Sequence, residues 1–113
     1  MEDKDFEEIL RKVSAIEHVT SVYICSRAGA FTTGITPKLA DRNMYSAITS
    51  LAYGTAEQVG HEMNDDLQYV SLNFTQSRLL VVGIGPRNLM GLLIDDKGEP
   101  DCVLRDVQRL IFD

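Results

Sequence analysis

The sequence predicts an α/β protein of the α+β kind, a three-layer α/β/α sandwich on one five-stranded antiparallel sheet, and three observations carry that prediction. The C-terminal part holds three strand-like runs, Tyr69–Phe74, Leu79–Ile84 and Leu89–Ile94, separated by short turns and closed by an amphipathic helix. The second and third runs are apolar at almost every position, as strands covered on both faces are. Three amphipathic helical stretches are available to supply that cover.

Taken in order, residues 3–17 read as a helix, because Phe6, Ile9, Leu10, Val13 and Ile16 follow the i, i+3, i+4, i+7 spacing. Val19–Ser26 follows as a strand rich in β-favouring types, with Arg27-Ala28-Gly29 as its turn. Ala30–Ile35 is a weaker strand near a sheet edge, ended by Pro37. Asp41 is placed to N-cap a long helix running to about Met63.

That helix carries two stripes. Met44, Ile48, Leu51, Thr55 and Val59 form one, and Ala52, Ala56 and Gly60 form a shallow second beside it. Glycine in a helix costs about 0.5–1 kcal/mol relative to alanine. Two glycines here, Gly54 and Gly60, are therefore explained either by close approach of a neighbouring helix or by a tight contact with the chain's own sheet. Asn64-Asp65-Asp66 leads into the meander, whose turns fall at Thr75–Arg78 and Gly85–Asn88. Asp95-Asp96-Lys97-Gly98 stops the last strand, and the final helix begins after Pro100 and Asp101 with Val103, Leu104, Val107, Leu110 and Ile111 as its buried stripe. The predicted element order is α-β-β-α-β-β-β-α, with strands arranged 2-1-5-4-3, the first and last helices on one face and the long helix on the other.

Composition restricts the classes of function. A chain of 113 residues forms one domain, here residues 1–113, and 44% hydrophobic with 25% charged residues is an ordinary globular balance. A net charge of -6 with scattered basic residues argues against nucleic acid as a partner. No run approaches the roughly 18 apolar residues of a membrane span, and the opening Met1-Glu2-Asp3-Lys4-Asp5 lacks the basic and apolar regions of a signal peptide. A cytoplasmic protein with two reduced thiols, Cys25 and Cys102, is the expectation.

No catalytic, cofactor or metal constellation emerges. Gly83-Ile84-Gly85-Pro86 lacks the third glycine and the following helix of a dinucleotide loop. His18 and Cys25 fall at opposite ends of one strand, too far apart to share a proton. Two isolated cysteines lack the paired spacing of a zinc site, and the acidic pairs Asp65-Asp66 and Asp95-Asp96 lack the alternating ligands of a calcium loop. A hydrolase using Cys25 is the weakest of the functional alternatives. Arg27 and Arg87 each occupy a turn, at the same end of the sheet if strand 1 neighbours strand 5, and mark a candidate partner rim, with Arg78 at the opposite end.

The element order, together with Val19-Thr20-Ser21-Val22-Tyr23-Ile24-Cys25-Ser26-Arg27-Ala28-Gly29-Ala30 and the meander through Leu92-Leu93-Ile94-Asp95, resembles the Roadblock / dynein light chain family over nearly the whole chain. His18 departs from it, standing where members often have glycine before the first strand. The resemblance implies a non-enzymatic, homo- or heterodimeric scaffold in which the long helix and third strand pair with their counterparts in one continuous sheet. It also implies action on small Ras-like GTPases or a link between cargo and motor complexes, the stand-alone length pointing to the prokaryotic, GTPase-regulating type.

The residues meet that implication at two places. An outer strand with one polar face is a pairing hazard unless covered, and the shallow helix stripe suits a two-fold contact. Tyr45, Ile48, Ala52, Ala56, Gly60, Leu67, Tyr69, Ser71 and Asn73 are accordingly the candidate homodimer interface, on the long helix and the strand Leu67–Thr75. The leading expectation is a homodimer that binds a small GTPase without cofactor or metal. The alternatives are a small-molecule sensor or a motor/cargo adaptor on the same architecture.

Overall fold

The computed structural model describes residues 3–37 and 41–112, so Met1 and Glu2 of the acidic opening lie outside the described residues. Its elements run α1 (Asp3–Ser14), β1 (Val19–Ser26), β2 (Phe31–Gly34), α2 (Arg42–Met63), β3 (Val70–Asn73), β4 (Ser77–Ile84), β5 (Asn88–Asp95) and α3 (Pro100–Phe112). The five strands form one antiparallel sheet ordered β2-β1-β5-β4-β3. Element order and strand order are those the sequence predicts.

Alternation along the strands divides the sheet into two apolar faces. Val22 and Ile24 of β1, Leu80 and Ile84 of β4, and Met90, Leu92 and Ile94 of β5 point to one side. There they meet Phe6, Ile9 and Val13 of α1 and Val103, Leu104 and Val107 of α3. Tyr23, Cys25, Leu79, Val81 and Leu89 point to the other side, against Tyr53 of α2. The sandwich is therefore filled as expected, with two helices on one face and the long helix on the other.

The boundaries differ where local geometry intervenes. α1 stops at Ser14 rather than at residue 17, since the amides of Ala15 and Ile16 bond three residues back, to Lys12 and Val13 carbonyls, and tighten the last turn. His18 then turns the chain with a φ of 77°, the left-handed conformation a glycine would adopt without strain. The strain is held by Asp95. The His18 ring donates from Nδ1 to the carboxylate at 3.0 Å, and the Asp95 amide donates to the His18 carbonyl at 3.0 Å. The histidine thus holds a left-handed turn that a glycine would make without strain.

Asp41 does not cap α2 through its side chain, contrary to expectation, because its backbone (φ -108°, ψ 16°) lacks the extended geometry that aims a cap oxygen at the first-turn amides. The other end of α2 is well closed. Asn64 is left-handed (φ 55°), and the Asp65 amide donates to the Gly60 carbonyl at 2.9 Å.

Pro100 opens α3 at the first helical position, where its missing N–H is no loss. At one sheet edge, β2 is short, its register with β1 shifts between Ile24 and Cys25, and Gly34 takes a φ of 111° against the Tyr23 backbone. At the other edge, β3 spans Val70–Asn73 rather than Leu67–Thr75. The Phe74 amide bonds the Ser77 carbonyl at 2.8 Å and closes the hairpin to β4.

Candidate functional site

α2 lies on the sheet with its less apolar face inward. Its buried residues are Ser46, Thr49, Tyr53 and Gly60. Each polar one is satisfied or packed. The Thr49 and Tyr23 hydroxyls share a hydrogen bond of 2.6 Å, and the Ser46 hydroxyl donates to the Arg42 carbonyl at 2.9 Å. The Tyr23 ring lies across Gly91, where a Cβ would fall 2.4 Å from the ring carbon Cζ. Burial pushes the Tyr23 phenol up to about 12, the Thr49 hydrogen bond opposing the shift, so this hydroxyl stays neutral. Burial likewise pushes the Cys25 thiol up to about 11, which makes it a poor nucleophile.

The apolar stripe faces outward. Met44, Ile48, Leu51, Val59 and Met63 are 45–71% exposed, Leu51 the most. Beside the first half of the helix, Tyr45 and Ile48 face Leu72, Phe74 and Leu93 across an apolar groove of about 310 Å³, with Pro37 at its rim. Beside the second half, Val59, Met63 and Leu67 line another of about 340 Å³. Phe74, 61% exposed at the end of β3, continues this surface to the sheet edge. Single exposed apolar residues are ordinary, whereas a row of them beside an open strand edge is the kind of surface that commonly marks an interaction site.

The sequence-predicted interface residues divide between several places. Ile48 is exposed on the stripe, and Tyr45 is half-buried, its ring 6.3 Å from that of Tyr23. Ala52 and Ala56 are half-buried and Gly60 is buried, a Cβ on Gly60 coming within 2.6 Å of the Asp65 carbonyl oxygen. Gly60 is thus used by the chain's own helix end, whereas Gly54 is exposed with nothing within 4 Å of where a Cβ would stand, and Ala56 lines the groove beside Val59. Leu67 packs against the α2-side core, before β3 begins.

Tyr69 turns to the opposite face, where its hydroxyl donates to Asp101 Oδ1 of α3 at 3.1 Å. Ser71 and Asn73 share that face by alternation, and their side chains bond each other at 2.7 Å. Met44, Leu51, Val59, Met63 and Phe74 are exposed apolar residues that stand outside the candidate set. A signal was present: Ser46, Thr49 and Tyr53, spaced three and four apart, trace a polar line that sheet-facing hydroxyl partners can anchor.

Arg27 and Arg87 do lie at one end of the sheet, the Arg27 amide bonding the Arg87 carbonyl at 2.9 Å. Arg78 is at the other end, donating to the Gly98 carbonyl at 3.1 Å. Arg87 is exposed, but Arg27 is engaged by its own chain, with Nη1 2.6 Å from Glu57 Oε1 and its guanidinium 5.2 Å from the Tyr53 ring centroid. Among the described residues no group of three or more His, Cys, Asp or Glu side chains is arranged to hold a metal ion, and no helix is long and apolar enough to cross a membrane.

The fold defines a class: a three-layer sandwich with an open 2-1-5-4-3 sheet. Solved structures of that class exist. The chain is similar to MglB of Myxococcus xanthus (TM-score 0.84, 9% identity, covering 99% of this chain and 93% of that one). It is also similar to a Roadblock/LC7 domain from Streptomyces avermitilis (TM-score 0.78, 15% identity, 94% and 88% covered). A third likeness is to an MglB solved in a tetrameric arrangement (TM-score 0.81, 13% identity, 96% and 83% covered). At such identities the likeness is one of fold, and at that level the Roadblock resemblance read from the sequence is borne out. No protein-family model and no curated protein matches the chain.

Proposed function

We propose that this chain is a non-enzymatic cytoplasmic scaffold that forms a homodimer through α2 and the β3 edge, binds a small Ras-like GTPase and modulates its nucleotide state or position. The observation that carries the proposal is the bare apolar stripe of α2 meeting the open edge of β3. A second copy related by a two-fold axis would cover both at once, stripe against stripe and strand beside strand. Within the candidate interface, weight moves to Met44, Tyr45, Ile48, Leu51, Val59 and Phe74. The GTPase partner follows from the Roadblock resemblance, and exposed Arg87 at the rim is its candidate contact.

Mass photometry and sedimentation equilibrium at micromolar concentration test the dimer. The wild type is expected at twice the mass of the 12.6 kDa chain, and Leu51→Asp at the monomer mass. A monomeric wild type sinks the proposal. A pull-down with the wild type as bait, followed by a GTP-hydrolysis assay on the recovered partner, tests the rest. The groove of about 310 Å³ beside Tyr45 supports a second reading, a sensor of small apolar ligands, since it reaches the lower end of ligand-pocket sizes. Saturable binding of a fluorescent apolar probe to the Leu51→Asp monomer would favour it.

A further inference from the structure

We propose that Arg27 is a positioning residue that fixes the rotation of α2 about its own axis and thereby decides which face of the helix is left outward. The functional consequence rests on the self-association proposed above; the geometry stands without it.

α2 is oriented against its own apolar content. A helix lying on a sheet ordinarily turns its apolar stripe to the core, yet here Ser46, Thr49 and Tyr53 are inside while Ile48, Leu51 and Val59 are outside. Successive residues are about 100° apart around a helix, so a turn of one position would exchange polar for apolar residues at the sheet. Undirected burial favours that turn. What opposes it must be directional.

Arg27 supplies direction at three points along one line of the helix, Ser50, Tyr53 and Glu57, which are spaced three and four apart. The Ser50 hydroxyl donates to the Arg27 carbonyl. The guanidinium lies over the buried Tyr53 ring at 5.2 Å and pairs with Glu57 Oε1 at 2.6 Å. The turn that carries Arg27 is itself tied to the sheet through the 2.9 Å bond to Arg87.

Two details show that the side chain is seated rather than merely folded back. Its Nε is buried without a hydrogen-bond partner among the described residues, a cost that a solvated arginine does not bear. Beneath it is Gly83, where a Cβ would come within 3.1 Å of the Tyr53 hydroxyl and 3.4 Å of Arg27 Nη2. Ion pairs with both side chains a third exposed, as here, add little net stability, but they select one geometry among near-equal ones.

The experiment reads rotation and association separately. A reporter thiol is introduced as Leu51→Cys in a Cys102→Ser background, Cys25 being buried, and alkylated below the concentration at which copies associate. Arg27→Met is expected to slow alkylation about threefold or more. In the background without the reporter it should weaken self-association about tenfold, with the thermal midpoint little changed. Arg27→Lys, which keeps the charge opposite Glu57, is expected to recover most of both.

Unchanged alkylation and unchanged association in Arg27→Met overturn the proposal, and so does a lowered thermal midpoint with alkylation unchanged, the signature of a merely structural arginine. If Arg27→Met does not fold, Glu57→Gln removes the ion pair alone and is read the same way. A wild type that never associates removes the dimer and leaves the alkylation rates to decide the rotation.

Discussion

The two faces of the sheet hold their helices by different physics. On the α1/α3 face, Ile24, Leu80, Ile84, Met90, Leu92 and Ile94 have no exposure at all and meet aliphatic side chains from both helices. On the α2 face the sheet offers Tyr23 and Cys25 beside Leu79, Val81 and Leu89, and the helix answers with Ser46, Thr49 and Tyr53. The first contact is strong and undirected, since burial rewards area without regard to orientation. The second is weaker per residue and directional, because a hydroxyl bonds only where its partner is. A helix that must keep an apolar stripe outward needs the second kind.

The largest effect that separates the faces is a core truncation. Leu80→Ala is expected to cost about 2–5 kcal/mol in urea unfolding, through lost burial and the cavity left behind. A cost below about 1 kcal/mol would mean that the α1/α3 face is not the main core. Next is Tyr23→Phe, which strands the buried Thr49 hydroxyl and should cost about 1–3 kcal/mol, with Thr49→Val added to it restoring most of the loss. Failure of the double variant to recover would reduce the Tyr23–Thr49 bond to incidental packing.

Leu51→Asp should change the stability of the isolated chain by no more than about 0.5 kcal/mol, despite replacing a leucine on a long helix. A large loss would place that side chain in the core of its own chain. Smallest is a pH effect away from both faces. Burial works to raise the Asp95 carboxyl, but the Lys97 amide, the His18 ring and the Gly98 amide outweigh it and hold the carboxyl below its ordinary 3.8. The stabilisation it gives is therefore full above that value and is lost as pH falls through the lower folded value. Asp95→Asn should flatten that acid limb of the stability curve. An unchanged limb would show that the His18 turn is held by its backbone bonds.

Much of the fold was legible because periodicity is local. The β1 limits, the strand order and the α1 stripe all follow from runs of apolar residues and the turns between them. The face of α2 was not legible in the same way. Thr49 looks like a polar interruption until Tyr23, far away in sequence, is placed opposite it, and Arg27 looks like a free turn residue until Glu57 and Gly83 surround it. Periodicity ranks residues by apolarity and cannot see a hydroxyl partner on another element. The same limit explains Tyr69, whose bond to Asp101 draws it toward α3, and His18, whose positive φ is held by a carboxylate at the far end of β5.

The unequal edges of the sheet set a count. β3 ends the sheet with an open row of backbone groups in regular register with β4, whereas β2, of equal length, ends it with a shifted register and a glycine bent against Tyr23. Joining two copies through β3 would leave β2 as the outermost strand on both sides, and neither offers a straight template for a third copy. Growth by strand addition would stop after a single step. The chain would then carry its own stoichiometry, a pair rather than a fibre, in the asymmetry between its first hairpin and its second.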